Sequence, residues 1–164
     1  MKNVSIATAL FLSFGLLSVI PANAASSDAN AEIVASIAIV NTGALEFGQI
    51  IAGPAGTVAV STASVRTSPS TTLYFANGTT PAAATFDVTG GADSTYSITL
   101  PADAAVSLTG PGVAMVVNSW VSSPATGLLT GGTETLSVGA TLSVDAAQTE
   151  GAYTGTFDVT VAYD

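Results

Sequence analysis

The chain has 164 residues, of which 48% are hydrophobic and only 8% charged, and its formal net charge is −9. It contains no cysteine and no histidine, and its two cationic side chains are Lys2 and Arg66. This composition excludes disulfide bonds, Ser-His and Cys-His nucleophiles, and the usual ligands of zinc and copper. The scarcity of cations also argues against nucleic acid and anionic membrane surfaces as partners.

The N-terminal residues predict a secretory signal peptide. Lys2 precedes an uncharged apolar run over residues 4–20, and Ala22 and Ala24 have the small-x-small spacing of a cleavage site. We expect cleavage after Ala24, so that residues 1–24 are the signal peptide and residues 25–164 form a single domain. A retained membrane anchor is the alternative, although the run is short for a bilayer span. The expected destination is the cell surface or the medium, reached through the periplasm, with no membrane insertion after cleavage.

Residues 25–164 show no sustained helical periodicity. Short runs rich in Val, Ile, Thr, Tyr and Phe are separated by Gly, Pro, Asn and Asp, which is typical of an all-β domain. Their number and spacing predict an immunoglobulin-like, pilin-like two-sheet β-sandwich, in which two or three segments can be pieces of one bent strand. In chain order, the predicted strands are residues 32–40, 45–52, 57–60, 71–76, 84–89, 95–100, 106–109, 113–120, 133–138, 141–144 and 152–163.

The first predicted strand, residues 32–40, has one strongly apolar face. That face is formed by the alternate residues Ile33, Ala35, Ile37 and Ile39. Two interpretations stay open. The segment is either the first strand of the domain itself or a donor strand that inserts into a neighbouring subunit.

The middle of the chain offers few groups for catalysis. Asp87 with Asp158, or Asp93 with Asp103, are the carboxylate pairs that a glycosidase would need, yet each aspartate falls on a polar strand face or in a turn. We therefore expect no enzyme activity, no catalytic residue, no metal site and no cofactor.

A monomeric secreted binding module for carbohydrate or calcium is the alternative function. Trp120, with nearby Asn118, is the candidate platform for a sugar, although a lone tryptophan in a small sandwich is more often part of the core. For calcium, no D-x-D-x-D-G loop is present, and residues 90–94 and 143–151 carry only isolated acidic residues.

The last predicted strand alternates up to the penultimate residue, although chain termini usually fray. One face of this strand is apolar and consists of Tyr153, Phe157, Val159, Val161 and Tyr163. Its polar side chains point to the other face. Preceded by Gly151, this pattern resembles the C-terminal strand of chaperone–usher pilins and of secreted pilus proteins related to spore coat protein U. The resemblance implies a strand that a periplasmic chaperone holds first and that a neighbour's N-terminal segment then completes.

A second resemblance covers most of residues 25–164. Residues 45–61, 86–101 and 151–164 resemble a bacterial family of exported proteins called domain of unknown function 4402. That family carries no established enzyme activity. Together, the two resemblances imply a non-enzymatic structural or adhesive surface protein, a pilin-like subunit that assembles with itself by β-strand exchange.

Overall fold

The computed structural model describes residues 23–51, 53–68, 74–76 and 78–164. Nearly all of the predicted signal peptide therefore lies outside the described residues, and so do Ala52 and the beginning of the predicted strand 71–76. The chain divides into two units, Met1–Glu32 and Ile33–Asp164, and every strand found among the described residues lies in the second. Within the described ranges, no helix is long and apolar enough to cross a membrane.

The second unit is built from short antiparallel strands, with one turn of 3₁₀ helix at Thr130–Gly132. The strands are β1 (Ala38–Gly43), β2 (Ile50–Ile51), β3 (Gly56–Val60), β4 (Arg66–Thr67), β5 (Tyr74–Phe75), β6 (Ala84–Thr89), β7 (Thr95–Thr99), β8 (Val106–Leu108), β9 (Met115–Ser123), β10 (Gly127–Leu128), β11 (Thr133–Val144) and β12 (Thr160–Tyr163).

A seven-stranded sheet is organised around the long strand β11. Ser137 pairs with Thr85 of β6 and with Ser123 of β9, so β6 and β9 lie on opposite edges of β11. Thr141 likewise pairs with β3 on one side and β9 on the other, which places β3 and β6 end to end. Beyond these neighbours, β1 extends the sheet from β6, β4 from β3, and β8 from β9.

A second sheet has the strand order β10-β7-β12 and packs against the first. Tyr96 of β7 is completely buried with Leu136 and Val138 of β11, and its hydroxyl donates a hydrogen bond of 2.9 Å to Glu134 Oε2. The strands β2 and β5 form a separate two-stranded ribbon. The prediction of an all-β, two-sheet sandwich is confirmed.

The core follows from the alternation of apolar residues along the strands. The inward residues of β11 are buried at every second position from Leu136 to Val144. Each fully buried Val or Leu contributes about 1.5–3 kcal/mol to stability. The buried side chains form two clusters, one around Val58, Val117 and Leu142 and the other around Tyr96 and Leu136, and Trp120 packs against both.

Several predicted strands match the structure to within a residue at each end: β3, β6, β7 and β8. The predicted strands 133–138 and 141–144 are one continuous strand, β11, because Gly139 and Ala140 continue its ladder. The short strands β4 and β10 were not predicted, since two residues carry no measurable periodicity. The largest differences concern the first and last predicted strands.

Candidate assembly edge at the C-terminal strand

The C-terminal segment is a strand only at its end. The predicted strand 152–163 is wrong in its extent, because only Thr160–Tyr163 form β12. This strand pairs with β7, from Thr160 opposite Thr99 to Tyr163 opposite Tyr96. Earlier, Thr154 makes an isolated bridge to Thr109, next to β8 of the other sheet. Because the segment passes from one sheet to the other, residues 155–159 belong to no strand.

The face of the segment that was predicted to be apolar points inward. Val159 is buried, and Tyr153, Phe157, Val161 and Tyr163 are half-buried. Phe157 lies at the junction of the two sheets. Its ring centroid lies 4.6 Å from that of Trp120 and 6.2 Å from that of Phe86. The alternation therefore gives the orientation of the side chains correctly, although it does not indicate which strands pair.

The outer edge of the segment is the one on which another strand can pair. β12 is the last strand of its sheet, with β7 along one edge and no paired strand along the other within the described residues. An unpaired strand edge presents N–H and C=O groups that another backbone can bind. This edge continues along residues 155–159, which form no ladder at all.

At the Tyr163 end, the chain's own N-terminal segment approaches this edge. The Tyr163 hydroxyl donates a 2.7 Å hydrogen bond to the carbonyl oxygen of Ala35 and accepts one of 2.6 Å from the Gly91 N–H. β1 also lies close to β12 without pairing with it. The edge is therefore partly covered at this end.

At the other end of the segment, a cleft of about 770 Å³ opens between residues 44–50 and residues 148–155. Its apolar lining includes Phe47, Met115, Leu142 and Val144, and Glu46 and Glu150 are among its polar lining residues. The cleft is thus an apolar trough beside a backbone that has few pairing partners.

Gly151 lies in the wall of this cleft with a φ of +143°, a conformation that favours glycine. A Cβ atom added at Gly151 would lie 2.5 Å from Cγ of Pro111. Glycine is therefore required here for both its backbone angle and its small size. Gly151 was noted in the sequence because of the resemblance to pilins, and the structure gives a local steric reason for glycine at this position.

The four residues of the candidate donor face lie in two different environments, two packed on the core and two exposed. Ile37 and Ile39 pack on the second core cluster, and β1 pairs with β6 of the same chain. Ile39 therefore belongs to the domain's own first strand and Ile37 directly precedes that strand, which agrees with the first of the two interpretations above. Ile33 and Ala35 are exposed and lie in no strand, with Ile33 96% exposed.

Trp120 and Asn118 do not form a common surface. Between them, Ser119 has a φ of +51°, and two residues of β9 stand opposite Ala140 alone, which makes a β-bulge. The bulge turns Trp120 into the core, where its Nε1 is buried with no hydrogen-bond partner among the described residues. Asn118 instead accepts a 2.9 Å hydrogen bond from the Ala104 N–H on the outer face.

One carboxylate of each candidate pair makes a local structural contact. Asp103 Oδ1 accepts a 2.7 Å hydrogen bond from the Ser119 N–H and so supports the bulge, and Asp87 Oδ1 accepts one from the Thr135 hydroxyl. Among the described residues, no group of three or more Asp, Glu, His or Cys side chains is arranged to hold a metal ion.

The fold and its open edge define a class of protein: a small two-sheet β-sandwich whose C-terminal strand is an outer strand with an apolar cleft near it. The chain matches the model of a domain of unknown function, DUF4402, over residues 37–163, and it belongs to that family. The prediction of the family is confirmed. No curated protein and no solved structure matches the chain.

Proposed function

We propose that this protein is a non-enzymatic, exported structural or adhesive subunit that assembles in the manner of a pilin, by accepting a β-strand along the outer edge of residues 151–163. One observation carries this proposal. Within the described residues this edge has no paired strand, and at one end it borders an apolar cleft of about 770 Å³.

Strand addition uses both features of the edge. The incoming backbone pairs with the free N–H and C=O groups, and its alternate side chains enter the cleft. Each hydrogen bond contributes about 1 kcal/mol net, and each fully buried aliphatic side chain contributes about 1.5–3 kcal/mol. A strand of five or six residues therefore supplies enough free energy for a long-lived complex, since the contributions are large compared with RT.

The composition of the chain supports a structural role. The chain lacks histidine and cysteine, and one aspartate of each candidate glycosidase pair, Asp87 or Asp103, makes a local structural contact instead. Assembly would take place at the cell surface after passage through the periplasm. The partners are further copies of the chain and, before assembly, a periplasmic chaperone that covers the same apolar edge.

An unheated, non-reducing gel of the exported protein tests the proposal. We expect a ladder of multimers that collapses on boiling, and no disulfide can produce it because the chain has no cysteine. A charge placed in the cleft by Ala152→Asp should abolish the ladder. The matched control is Ala63→Asp, which adds the same charge at an exposed position of the turn between β3 and β4, outside both the cleft and the C-terminal segment.

A single monomer band for the wild-type protein would contradict the proposal. A ladder equally strong in both variants would also contradict it, because the cleft would then play no part in assembly.

A further inference from the structure

We propose that Arg66 is a positioning residue of the cleft. It holds residues 44–50, called the wall below, in the place that leaves the cleft open to an incoming strand. The inference rests on the proposed function and identifies what keeps the empty cleft in shape. Arg66 lies outside the lining of the cleft, so it acts on the wall and does not touch the occupant.

An empty apolar cleft has a tendency to close. Closing it would remove the apolar lining from water, which is favourable. The wall has little backbone pairing that opposes this movement. Glu46 forms an isolated bridge to Ala82, and residues 47–49 belong to no strand. Another interaction must therefore fix the middle of the wall.

The guanidinium of Arg66 supplies that interaction. Its Nη1 donates a hydrogen bond of 3.1 Å to the carbonyl oxygen of Phe47 and one of 3.2 Å to that of Gln49. Arg66 itself lies in β4, opposite Val60 of β3 in the seven-stranded sheet. Because the donor is charged, these bonds are stronger than those between neutral groups. They tie the middle of the wall to the large sheet.

The same guanidinium supports the ribbon of β2 and β5, in which the wall ends. Its Cζ lies 3.9 Å from the centroid of the Phe75 ring, which is a cation–π contact. Phe75 stands opposite Ile50, the last residue of the wall. Among the described residues the ribbon pairs with neither sheet, so this contact joins it to β4. One side chain thus holds both the middle and the end of the wall.

Gly48 makes room for this side chain. It lies between the two residues whose carbonyls Arg66 binds, and its φ is +76°. A Cβ atom added at Gly48 would lie inside van der Waals contact with Arg66 Nη1 and 2.8 Å from the carbonyl oxygen of Thr79. The wall is therefore shaped to receive the guanidinium.

Two substitutions of Arg66 test the inference on the unheated gel. Arg66→Gln removes the charge, the paired hydrogen bonds and the contact with the ring. The fraction of multimers should fall about tenfold or more, because the wall is free to close the cleft. Arg66→Lys keeps the charge and a donor but has no planar group, so it should restore part of the ladder. Circular dichroism that matches the wild-type protein establishes that each variant is folded.

Trypsin gives a second readout that does not depend on assembly. The Arg66–Thr67 bond is the one bond after residue 2 that trypsin can cut, because the chain has no other Lys or Arg. In the Ala152→Asp protein, which should not assemble, the engaged guanidinium should protect this bond. Adding Gly48→Ala displaces the guanidinium, so cleavage should become about tenfold faster.

Gly48→Ala alone should also lose the ladder, since it breaks the same contacts from the side of the wall. The matched control is Gly53→Ala, because the nearest atom to its added Cβ is 3.9 Å away. This control should keep the wild-type ladder and, in the Ala152→Asp protein, the slow cleavage.

A full ladder in Arg66→Gln, or equal rates of cleavage with and without Gly48→Ala, would overturn the inference. In either case a wild-type ladder that Ala152→Asp abolishes would leave the proposed function standing. The absence of a wild-type ladder would instead overturn the proposed function, and with it any role of Arg66 in assembly, whatever the rates of cleavage.

Discussion

At the scale of single residues, Gly139 lies where the backbone of a neighbouring strand comes very close to β11. It lies in β11 at the place where pairing with β6 has ended and pairing with β3 begins. A Cβ atom added there would lie 2.3 Å from the carbonyl oxygen of Val60 and 2.9 Å from the carbonyl carbon of Ser61. Two strands can meet end to end along β11 only because this position has no side chain.

We therefore expect Gly139→Ala to lower the free energy of unfolding by about 2–4 kcal/mol, because the backbone of β3 must move and the ladder is disturbed. Urea denaturation at neutral pH measures this loss. Gly53→Ala is the control, since the nearest atom to its added Cβ is 3.9 Å away and its stability should change by less than about 1 kcal/mol. Equal stabilities of the two variants would show that β3 and β6 do not meet at Gly139.

This requirement for glycine could not be read from the sequence. The sequence shows a glycine between two apolar runs, which suggested two separate predicted strands. Only the neighbouring strands of the fold show that the backbone of Val60 and Ser61 crosses close to Gly139. By contrast, the inward orientation of Phe157 and Tyr163 could be predicted, because alternation is a local property of an extended chain.

At the scale of elements, a half-buried carboxylate joins the two sheets. Glu134 Oε2 of β11 accepts hydrogen bonds from the Tyr96 hydroxyl of β7, at 2.9 Å, and from the Leu128 N–H of β10, at 3.0 Å. One carboxylate oxygen therefore links β11 of the first sheet to β7 and β10 of the second. Burial, then the hydrogen bond to Glu134 and the charge of that carboxylate, raise the pKa of Tyr96 well above its ordinary value.

The raised pKa of Tyr96 makes stability depend on pH in the alkaline range. Above about pH 10 the tyrosine releases its proton in the unfolded chain but retains it in the folded protein. Ionisation therefore stabilises the unfolded state relative to the folded one. We expect the free energy of unfolding to fall by up to about 1.4 kcal/mol per pH unit above about pH 10, and this group to contribute no slope below that pH. Urea denaturation at a series of pH values from about 8.5 to 11 measures the slope.

Tyr96→Phe is the control for this pH dependence. It removes the titrating hydroxyl and one of the two donors to Glu134, so it should lower stability at neutral pH by about 1–2 kcal/mol and make the alkaline slope shallower. Identical slopes for the wild-type protein and Tyr96→Phe would show that Tyr96 ionises in the folded protein as readily as in the unfolded chain.

The elements show what the sequence can and cannot predict. Strands such as β6 and β7 were predicted with nearly correct bounds because turn residues flank each alternating run. The C-terminal segment alternates equally well, yet only its last part is a strand, because its possible partners β7 and β8 lie in different sheets. The position of Trp120 also depends on the bulge at Ser119, which requires a partner strand with one residue fewer.

At the scale of the whole molecule, negative charges far outnumber positive ones. The formal net charge is −9, and Arg66 is the one cationic side chain beyond Lys2. Arg66 is engaged within its own subunit, since its Nη1 donates hydrogen bonds to the carbonyls of Phe47 and Gln49 and its guanidinium lies 3.9 Å from the Phe75 ring centroid. Contacts between copies of the chain therefore bring together surfaces of like charge.

The proposed contact at the cleft has the same property. The cleft carries Glu46 and Glu150, and a second copy of the chain brings its own excess of carboxylates to it. Repulsion between these carboxylates opposes the approach of two copies at low ionic strength. Salt weakens this repulsion, because the Debye length falls from about 30 Å at 0.01 M to about 3 Å at 1 M.

We therefore expect the multimer ladder to grow as NaCl is raised from about 0.01 M to 0.5 M before electrophoresis, with the unheated gel as the readout. Apolar burial and backbone hydrogen bonds are not screened by salt, so they remain while the repulsion weakens. Glu150→Gln should give a stronger ladder at low salt and a smaller response to salt, because it removes one of the repelling groups. Multimers that dissociate as salt is added would instead show that attraction between opposite charges holds the subunits together, which contradicts assembly at an acidic cleft.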